Sequence, residues 1–287
     1  MRVAILGLGA IGTLIARTLA DHATVVGIDR TKAPLAPDVA PVDVVIVAVK
    51  AQGDVWAAQT AARIIAPDGI VLTIQNGLGH HERFVAAVGP DRVAVGVIYV
   101  GASLEHGMLR STGPGRVELG RGAHIDELAT LLVAGGMTAR VVNDPWPAVW
   151  RKLVGNAAVN PITAIIGCTN GELLTHPATG IADAAAIETA RVATVEGVAI
   201  SDQEALSLWR AMAELTAANP SSMLQDIRAG RLTEIGPITG EIVRRGGAAG
   251  IATPVSTALL RLVQILETKP QQRVVDEPRS PEAGGKQ

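Results

Sequence analysis

Lys152, Asn156 and Asn160 recur every four residues within the segment 150–166, W-R-K-L-V-G-N-A-A-V-N-P-I-T-A-I-I. Four residues advance a helix by about 400°, so the three side chains share one slowly turning stripe. The rest of the segment is almost wholly apolar, which leaves little of the helix suited to water. Amides and an ammonium buried without partners cost about 1–3 kcal/mol or more each, and a ligand with carbonyl and carboxylate oxygens would supply those partners. The competing reading is a solvated stripe on a half-buried helix. Three further polar sets carry the same ambiguity. Gln75-Asn76-Gly77-Leu78-Gly79 follows an apolar strand ending at Ile74, at the sheet edge where ligands of open α/β folds sit, although Asn-Gly is also an ordinary turn pair. Asn219-Pro220-Ser221-Ser222 opens a helix, where serine ordinarily serves as an N-cap, and Glu234 reads as a first-turn helix acid. Lys50 closes the third strand, a place usually solvated but here directed at a crevice.

That crevice is implied by the start of the chain. Gly7, Gly9 and Gly12 spell G-L-G-A-I-G directly after the apolar run Val3–Leu6. A strand entering a helix through this turn sets backbone N–H groups and a helix N-terminus against a pyrophosphate. Gly7 permits the tight turn, Gly9 the approach of phosphate, and Gly12 the packing of helix on strand. The pattern alone also marks plain turns, but an amphipathic run from Ile11 to Ala20 follows, then a strand Thr24–Ile28 and Asp29. A carboxylate at Asp29 can accept from a free ribose 2′-hydroxyl, which favours NADH, whereas the guanidinium of Arg30 can clamp a 2′-phosphate, with Lys32 as a second cation. If Asp29 points away from the pocket the two cations outweigh it and NADPH is expected; if it points inward the preference narrows or reverses.

The elements that must hold these residues alternate and then change character. After Asp29 come a Pro-containing link (Pro34, Pro37, Pro41), a strand Val44–Val49, and helical or strand patterns at 57–65, 70–74, 82–88, 93–97, 117–119, 128–133 and 139–142. Alternating strands and helices, with fully apolar strands, predict a parallel sheet covered on both faces. Turn residues cluster at Asn143-Asp144-Pro145-Trp146-Pro147, which places a domain boundary at 144/145. Beyond it only helical spacing remains, near 148–165, 178–199, 203–218, 221–229, 234–248 and 254–268, and residues 269–287 have the composition of a disordered tail. The expected fold is an N-terminal Rossmann-type doubly wound sheet (1–144) with an all-helical C-terminal domain (145–268).

Composition narrows the field. The chain has 287 residues, enough for two cores, and is 48% hydrophobic but only 2% aromatic, so those cores must be built from Ala, Val, Ile and Leu. A net charge of −2 and the lack of a Lys/Arg run argue against nucleic acid. The longest apolar strand-like run is far too short to span a bilayer. The strand and glycine turn stand where a signal peptide would, so a cytoplasmic location is the default expectation. A single cysteine, Cys168, excludes an internal disulfide and a cysteine-based metal cluster.

Taken together the chain resembles the ketopantoate reductases (2-dehydropantoate 2-reductases). The resemblance rests on G-L-G-A-I-G, V-K-A at 49–51, Q-N-G-L-G at 75–79, W-R-K-L-V-G-N-A-A-V-N-P-I-T-A at 150–164, N-G-E at 170–172 and S-S-M-L-Q-D-I-R-A-G-R-L-T-E-I at 221–235. It implies reduction of 2-dehydropantoate to (R)-pantoate with NADPH, on the way to pantothenate and coenzyme A, in a cleft between the domains. Carried over by motif, Lys152 is the expected proton donor. Asn76, Asn156, Asn160, Asn170, Asn219, Ser221 and Ser222 are the expected substrate ligands. Gly7, Leu8, Gly9, Ala10, Ile11, Gly12, Arg30, Lys50, Asn76, Ala102 and Glu234 are the expected cofactor contacts. The link from Asp29 to the third strand is shorter than in many relatives. Other readings stay open: a paralogue acting on another 2-oxo acid, or a nucleotide-binding redox sensor without turnover. Relatives occur as monomers and dimers, and either state is expected here.

Overall fold

The computed structural model describes residues 1–31, 39–105 and 107–268. Lys32, Pro34, Pro37 and the tail 269–287 lie outside the described residues. The first half contains β1 (Arg2–Leu6), α1 (Ala10–Leu19), β2 (Thr24–Ile28), β3 (Val42–Val47), α2 (Asp54–Ile64), β4 (Ile65–Thr73), α3 (His80–Val88), β5 (Val93–Tyr99), β6 (Ala102–Glu105), β7 (Met108–Ser111), β8 (Arg116–Gly120), α4 (Ile125–Ala134) and β9 (Thr138–Val142). Seven strands form one sheet in the order β2-β1-β3-β4-β5-β8-β9. The chain leaves β1 to one side through β2 and returns to its other side through β3, so the crevice of a doubly wound sheet opens beyond the carboxyl ends of β1 and β3. Alternate residues of the apolar strands serve opposite faces. Val3, Ile5, Val44 and Ile46 pack with Ile15 and Leu19 of α1 and Leu128 and Leu132 of α4, while Ala4, Leu6, Val45 and Val47 pack with Ala57 and Ala61 of α2 and Phe84 of α3.

The sheet is parallel, as expected, except at one pair. β8 runs antiparallel to β5, pairing Gly96 with Leu119 and Tyr99 with Arg116, and β9 then runs parallel to β8. The reversal is made by an unanticipated hairpin, β6–β7, which packs across α1. No helix stands between β5 and β8 to force a parallel crossover. The strand expected to reach Val49 ends at Val47, and Lys50 instead precedes a short 3₁₀ turn, Ala51–Gly53.

The second half is helical: α5 (Trp146–Ile166), α6 (Thr179–Val195), α7 (Asp202–Leu215), α8 (Ser222–Arg228), α9 (Glu241–Ala248) and α10 (Pro254–Thr268). The helix expected over 234–248 is interrupted by a π-helical turn at Gly236–Gly240. α5 is the hub of this half, with Leu153, Val154, Ala157 and Ala158 buried against Ala186, Trp209 and Leu224. Leu78 of the 75–79 loop is buried in this same cluster, so the loop after β4 is anchored in the helical half. The Leu78 N–H also donates to the Pro237 carbonyl at 2.9 Å. A Cβ at Gly77, whose φ is +91°, would stand 2.4 Å from that carbonyl oxygen, so only glycine allows the approach.

Candidate active site

The glycine turn is pressed at two points and open at the third. Gly7 has φ +96°, and a Cβ there would lie 2.8 Å from the Val49 backbone nitrogen. At Gly12 a Cβ would lie 1.9 Å from the Gly7 carbonyl oxygen. At Gly9 it would meet nothing within 4 Å. The backbone at Gly9 therefore faces open space at the N-terminus of α1, whose first turn carries no acidic residue. This fits the diphosphate of a dinucleotide, with Gly7 and Gly12 fixing the turn and Gly9 and Ala10 presenting the backbone. Leu8 fills the space above Gly27, whose Cβ would meet the Leu8 side chain at 2.9 Å, and Ile11 packs partly buried on the sheet core. At the end of β2, Asp29 Oδ1 accepts from the Thr31 N–H at 2.9 Å and the Thr31 hydroxyl at 2.8 Å, while Arg30 Nη1 donates to the Gln52 carbonyl at 3.4 Å. Ala102 lies half-buried on β6, in the hairpin that packs on α1.

Across the crevice the structure brings together Asn76, Lys152 and Glu234. The Lys152 ammonium donates to Asn76 Oδ1 at 2.8 Å and to the Ile98 carbonyl at 2.6 Å. Asn76 Nδ2 donates in turn to Glu234 Oε2 at 3.2 Å. The amide orientation follows from its neighbours, since an ammonium requires an acceptor and a carboxylate a donor. Burial pulls the Lys152 pKa down to about 8, against the opposing charge of Glu234. Burial likewise holds the Glu234 carboxyl above its ordinary range, opposed by the Asn76 bond and the charges of Lys50 and His80, while Asp226 adds to the rise. Two of the three ammonium N–H groups are occupied, which leaves the third for a ligand oxygen.

α5 presents the expected stripe. Asn156 and Asn160 are only 9% and 6% exposed, and among the described residues neither side chain is hydrogen-bonded to the protein. Between the 75–79 loop with the start of α3, β5 and the first half of α5 lies a cleft lined by Asn76, His80, Trp146, Lys152 and Asn156.

Other expected residues are committed elsewhere. Lys50 is ion-paired with Asp226 of α8 at 2.5 Å, rather than simply facing the crevice, and Asp226 also holds Arg231 at 3.0 Å. Ser221, not Ser222, is the N-cap of α8: its hydroxyl accepts from the Leu224 N–H at 3.1 Å and is bonded to the Thr163 hydroxyl at 2.7 Å. Ser222 is exposed on the first turn. Asn170 and Asn219 are tied by a backbone bond of 3.0 Å, and Asn170 Nδ2 donates to Thr216, leaving Asn170 Oδ1 buried without a partner. Sequence reasoning missed the Ile98 carbonyl, Asp54 and His80. Asp54 lies 26 residues from His80, and no spacing rule connects a first-turn acid of one helix with the first residue of the next. Among the described residues, no cluster of three or more His, Cys, Asp and Glu could hold a metal, and no helix is long and apolar enough to cross a membrane.

Comparison with known proteins converges on one family. Residues 30–124 match the model of ketopantoate reductase PanE/ApbA, and residues 145–267 match that of its C-terminal domain. A 2-dehydropantoate 2-reductase from Halobacterium salinarum is 33% identical, covering 93% of this chain and 99% of the relative. A PanE/ApbA family ketopantoate reductase from Ralstonia eutropha superposes with a TM-score of 0.82 at 28% identity, covering 93% of this chain and 98% of that one. A D-mandelate dehydrogenase solved with NADH and anilino(oxo)acetate gives 0.84 at 26% identity, over 93% and 98% of the two chains. The half-open glycine turn, the ammonium held at the sheet edge and these likenesses agree: the chain is an oxidoreductase of the ketopantoate reductase family, a pyridine-nucleotide-binding Rossmann domain joined to a helical domain.

Proposed function

We propose that this protein reduces 2-dehydropantoate to (R)-pantoate with NADPH, as a step toward pantothenate and coenzyme A. The observation that carries the reading is the Lys152 ammonium, fixed between Asn76 Oδ1 and the Ile98 carbonyl, with a pKa of about 8 and one N–H unspent. Residues Gly7 to Gly12 with Arg30 would hold the nucleotide, and Lys50, Asn76, Ala102 and Glu234 complete its side of the cleft. When bound there, a dihydronicotinamide would supply the hydride that reduces C2 of the 2-oxo acid. As charge grows on the carbonyl oxygen, the Lys152 ammonium stabilises it and gives it a proton. Asn156, Asn160 and Ser222 bind the carboxylate and hydroxyl oxygens, with Asn170, Asn219 and Ser221 supporting that wall. A pKa of about 8 keeps most of the lysine charged at neutral pH while making the proton easier to release than from a solvated lysine.

The domains divide at 144/145, the nucleotide on the first and the 2-oxo acid held by the second. The protein works in the cytoplasm as a monomer or homodimer. A second reading has its own support: the likeness to D-mandelate dehydrogenase favours a paralogue that reduces another 2-oxo acid. A redox sensor without turnover has no need of a desolvated lysine on one helix stripe with Asn156 and Asn160. Steady-state assay with NADPH and NADH against 2-dehydropantoate, benzoylformate and smaller 2-oxo acids separates these readings. The highest kcat/KM for 2-dehydropantoate sustains the first, for benzoylformate the second, and no turnover with any of them sinks both.

A further inference from the structure

One buried carboxylate bonds a residue on each side of Asn76, Gln75 before it and His80 after it. Asp54, the first residue of α2, is 3% exposed, and its Oδ1 accepts from Gln75 Nε2 at 2.7 Å while its Oδ2 lies 2.8 Å from His80 Nδ1. Gln75 precedes Asn76, and His80, only 4% exposed, opens the helix that follows it. The amide of Gln75 is oriented by its other bonds: Nε2 also donates to the Val49 carbonyl at 2.9 Å, and Oε1 accepts from the Thr73 hydroxyl at 2.9 Å. Asp54 Oδ1 therefore receives an N–H, and Arg83 Nε stands 3.8 Å from its Oδ2. The second nitrogen of His80, Nε2, lies 3.0 Å from the Asn76 backbone carbonyl. A carbonyl only accepts, and so does a carboxylate. Both ring nitrogens must donate, and a neutral imidazole has one N–H to give.

We propose that His80 is a resident imidazolium and that, with Asp54, it acts as a positioning pair holding Asn76 in register with Lys152. The proposal rests on the reductase reading for the meaning of Asn76, but the charge of the ring does not. The groups acting on His80 are Asp54 from α2, the Asn76 carbonyl from the loop and Glu234 from the helical half, while Arg83 of its own helix stands by Asp54 and Lys152 lines the same cleft. Burial by itself pushes the histidine down, but the bond to Asp54 and its charge, the Asn76 carbonyl and Glu234 outweigh that and raise it above the ordinary value. Loss of the Nε2 proton would set a ring lone pair against the lone pairs of the Asn76 carbonyl, and the loop would give up one of its anchors. The pair is therefore intact at low pH and is lost as pH rises through the raised pKa.

The test begins with the intact protein labelled with ¹⁵N-histidine, titrated from pH 6 to 9 by NMR. Of the six histidines, the resonance missing from His80→Gln or His80→Asn should keep both ring protons at pH 7. A neutral ring at pH 7 would overturn the proposal. Asp54→Asn should move that titration down by about one pH unit or more and lower kcat about tenfold at pH 8, with much less loss at pH 6 and little change in nucleotide Kd. A merely structural role would instead lower kcat by the same factor at every pH in step with Tm, and that outcome too overturns the positioning claim. If no 2-oxo acid is turned over, the reductase reading fails while the ring charge is still decided by NMR alone.

Discussion

The glycine turn after β1 and the cluster around Asn76 serve one crevice but are made of different material. The turn is backbone: Gly7, Gly9 and Gly12 work by lacking side chains, within six consecutive residues. The cluster is side chain: Asn76 reaches 76 residues along the chain to Lys152 and 158 residues to Glu234. A backbone site tolerates no added atom where it is pressed, yet does no chemistry. A side-chain site fails when one functional group is removed, although the fold survives. The two should therefore break differently, and substitutions at each can separate binding from turnover.

The largest effect is expected at Lys152. Lys152→Ala should lower kcat by about 10²-fold or more, because on the proposed mechanism it removes both the proton donor and the charge that stabilises the growing alkoxide. Nucleotide Kd, measured by fluorescence of bound NADPH, should hardly move. Near wild-type turnover would take Lys152 out of the mechanism.

Gly12→Ala should do the reverse. Its Cβ would lie 1.9 Å from a backbone oxygen, which cannot rotate aside as a side chain can, so the helix must shift at a cost of about 1–3 kcal/mol. Thermal melting should fall by several degrees and nucleotide affinity with it. Gly9→Ala, with open space around its Cβ, should keep its Tm and lose affinity only. Equal melting losses in the two variants would contradict the pressed-and-open description of the turn.

Legibility follows the same division. The turn could be read because its constraint is local and recurs in sequence. The α5 stripe could be read because helical periodicity joins residues four apart, and among the described residues Asn156 and Asn160 are largely buried with no side-chain hydrogen bond to the protein. Periodicity could not show that Ser221 rather than Ser222 takes the cap, since the two hydroxyls are adjacent and only the chain direction decides. Nor could it show that Lys50 finds Asp226 or that Asp54 finds His80, because those pairs form only when separate elements pack. The antiparallel β8 was hidden for a different reason: the hairpin that reverses the chain has two strands of four residues each, too short for an alternation signal.

The pH dependence of reduction sharpens the side-chain half of the comparison. The Lys152 pKa is lowered to about 8, so the acid form predominates below that pH and is lost above it. The kcat/KM for the 2-oxo acid should be flat toward neutral pH and fall about tenfold per unit above 8. A flat profile to pH 9.5 would mean that the ammonium is not the proton donor. Next in size come the substrate ligands. Asn160→Ala should raise KM about five- to thirtyfold, as loss of a polar partner in a desolvated site costs about 1–2 kcal/mol, and Ser222→Ala less because that serine is exposed. Unchanged constants in folded protein would return Asn160 to a helix polar face and Ser222 to the surface.

The smallest effect is expected at the end of β2, where two adjacent charges oppose each other over the 2′ position of the nucleotide. Asp29 would accept from a ribose hydroxyl and repel a phosphate. Its Oδ1, however, already holds the Thr31 N–H and hydroxyl, which ties the carboxylate to its own turn. Arg30 is exposed and makes a long bond of 3.4 Å to the Gln52 carbonyl, weak enough to exchange for a phosphate oxygen. On the proposed reading NADPH is preferred by a small margin, because charge pairs in solvent are worth about 0.2–1 kcal/mol. Arg30→Ala should lower kcat/KM for NADPH about three- to fivefold and leave that for NADH nearly unchanged, with the gap closing as salt is raised. The Gln52 side chain donates to the Thr233 carbonyl next to Glu234, so a shift of Arg30 could reach the side-chain cluster through this link. A loss shared equally by both nucleotides would identify that route rather than phosphate recognition. An enzyme that prefers NADH and ignores the Arg30 change would show that Asp29 sets the choice.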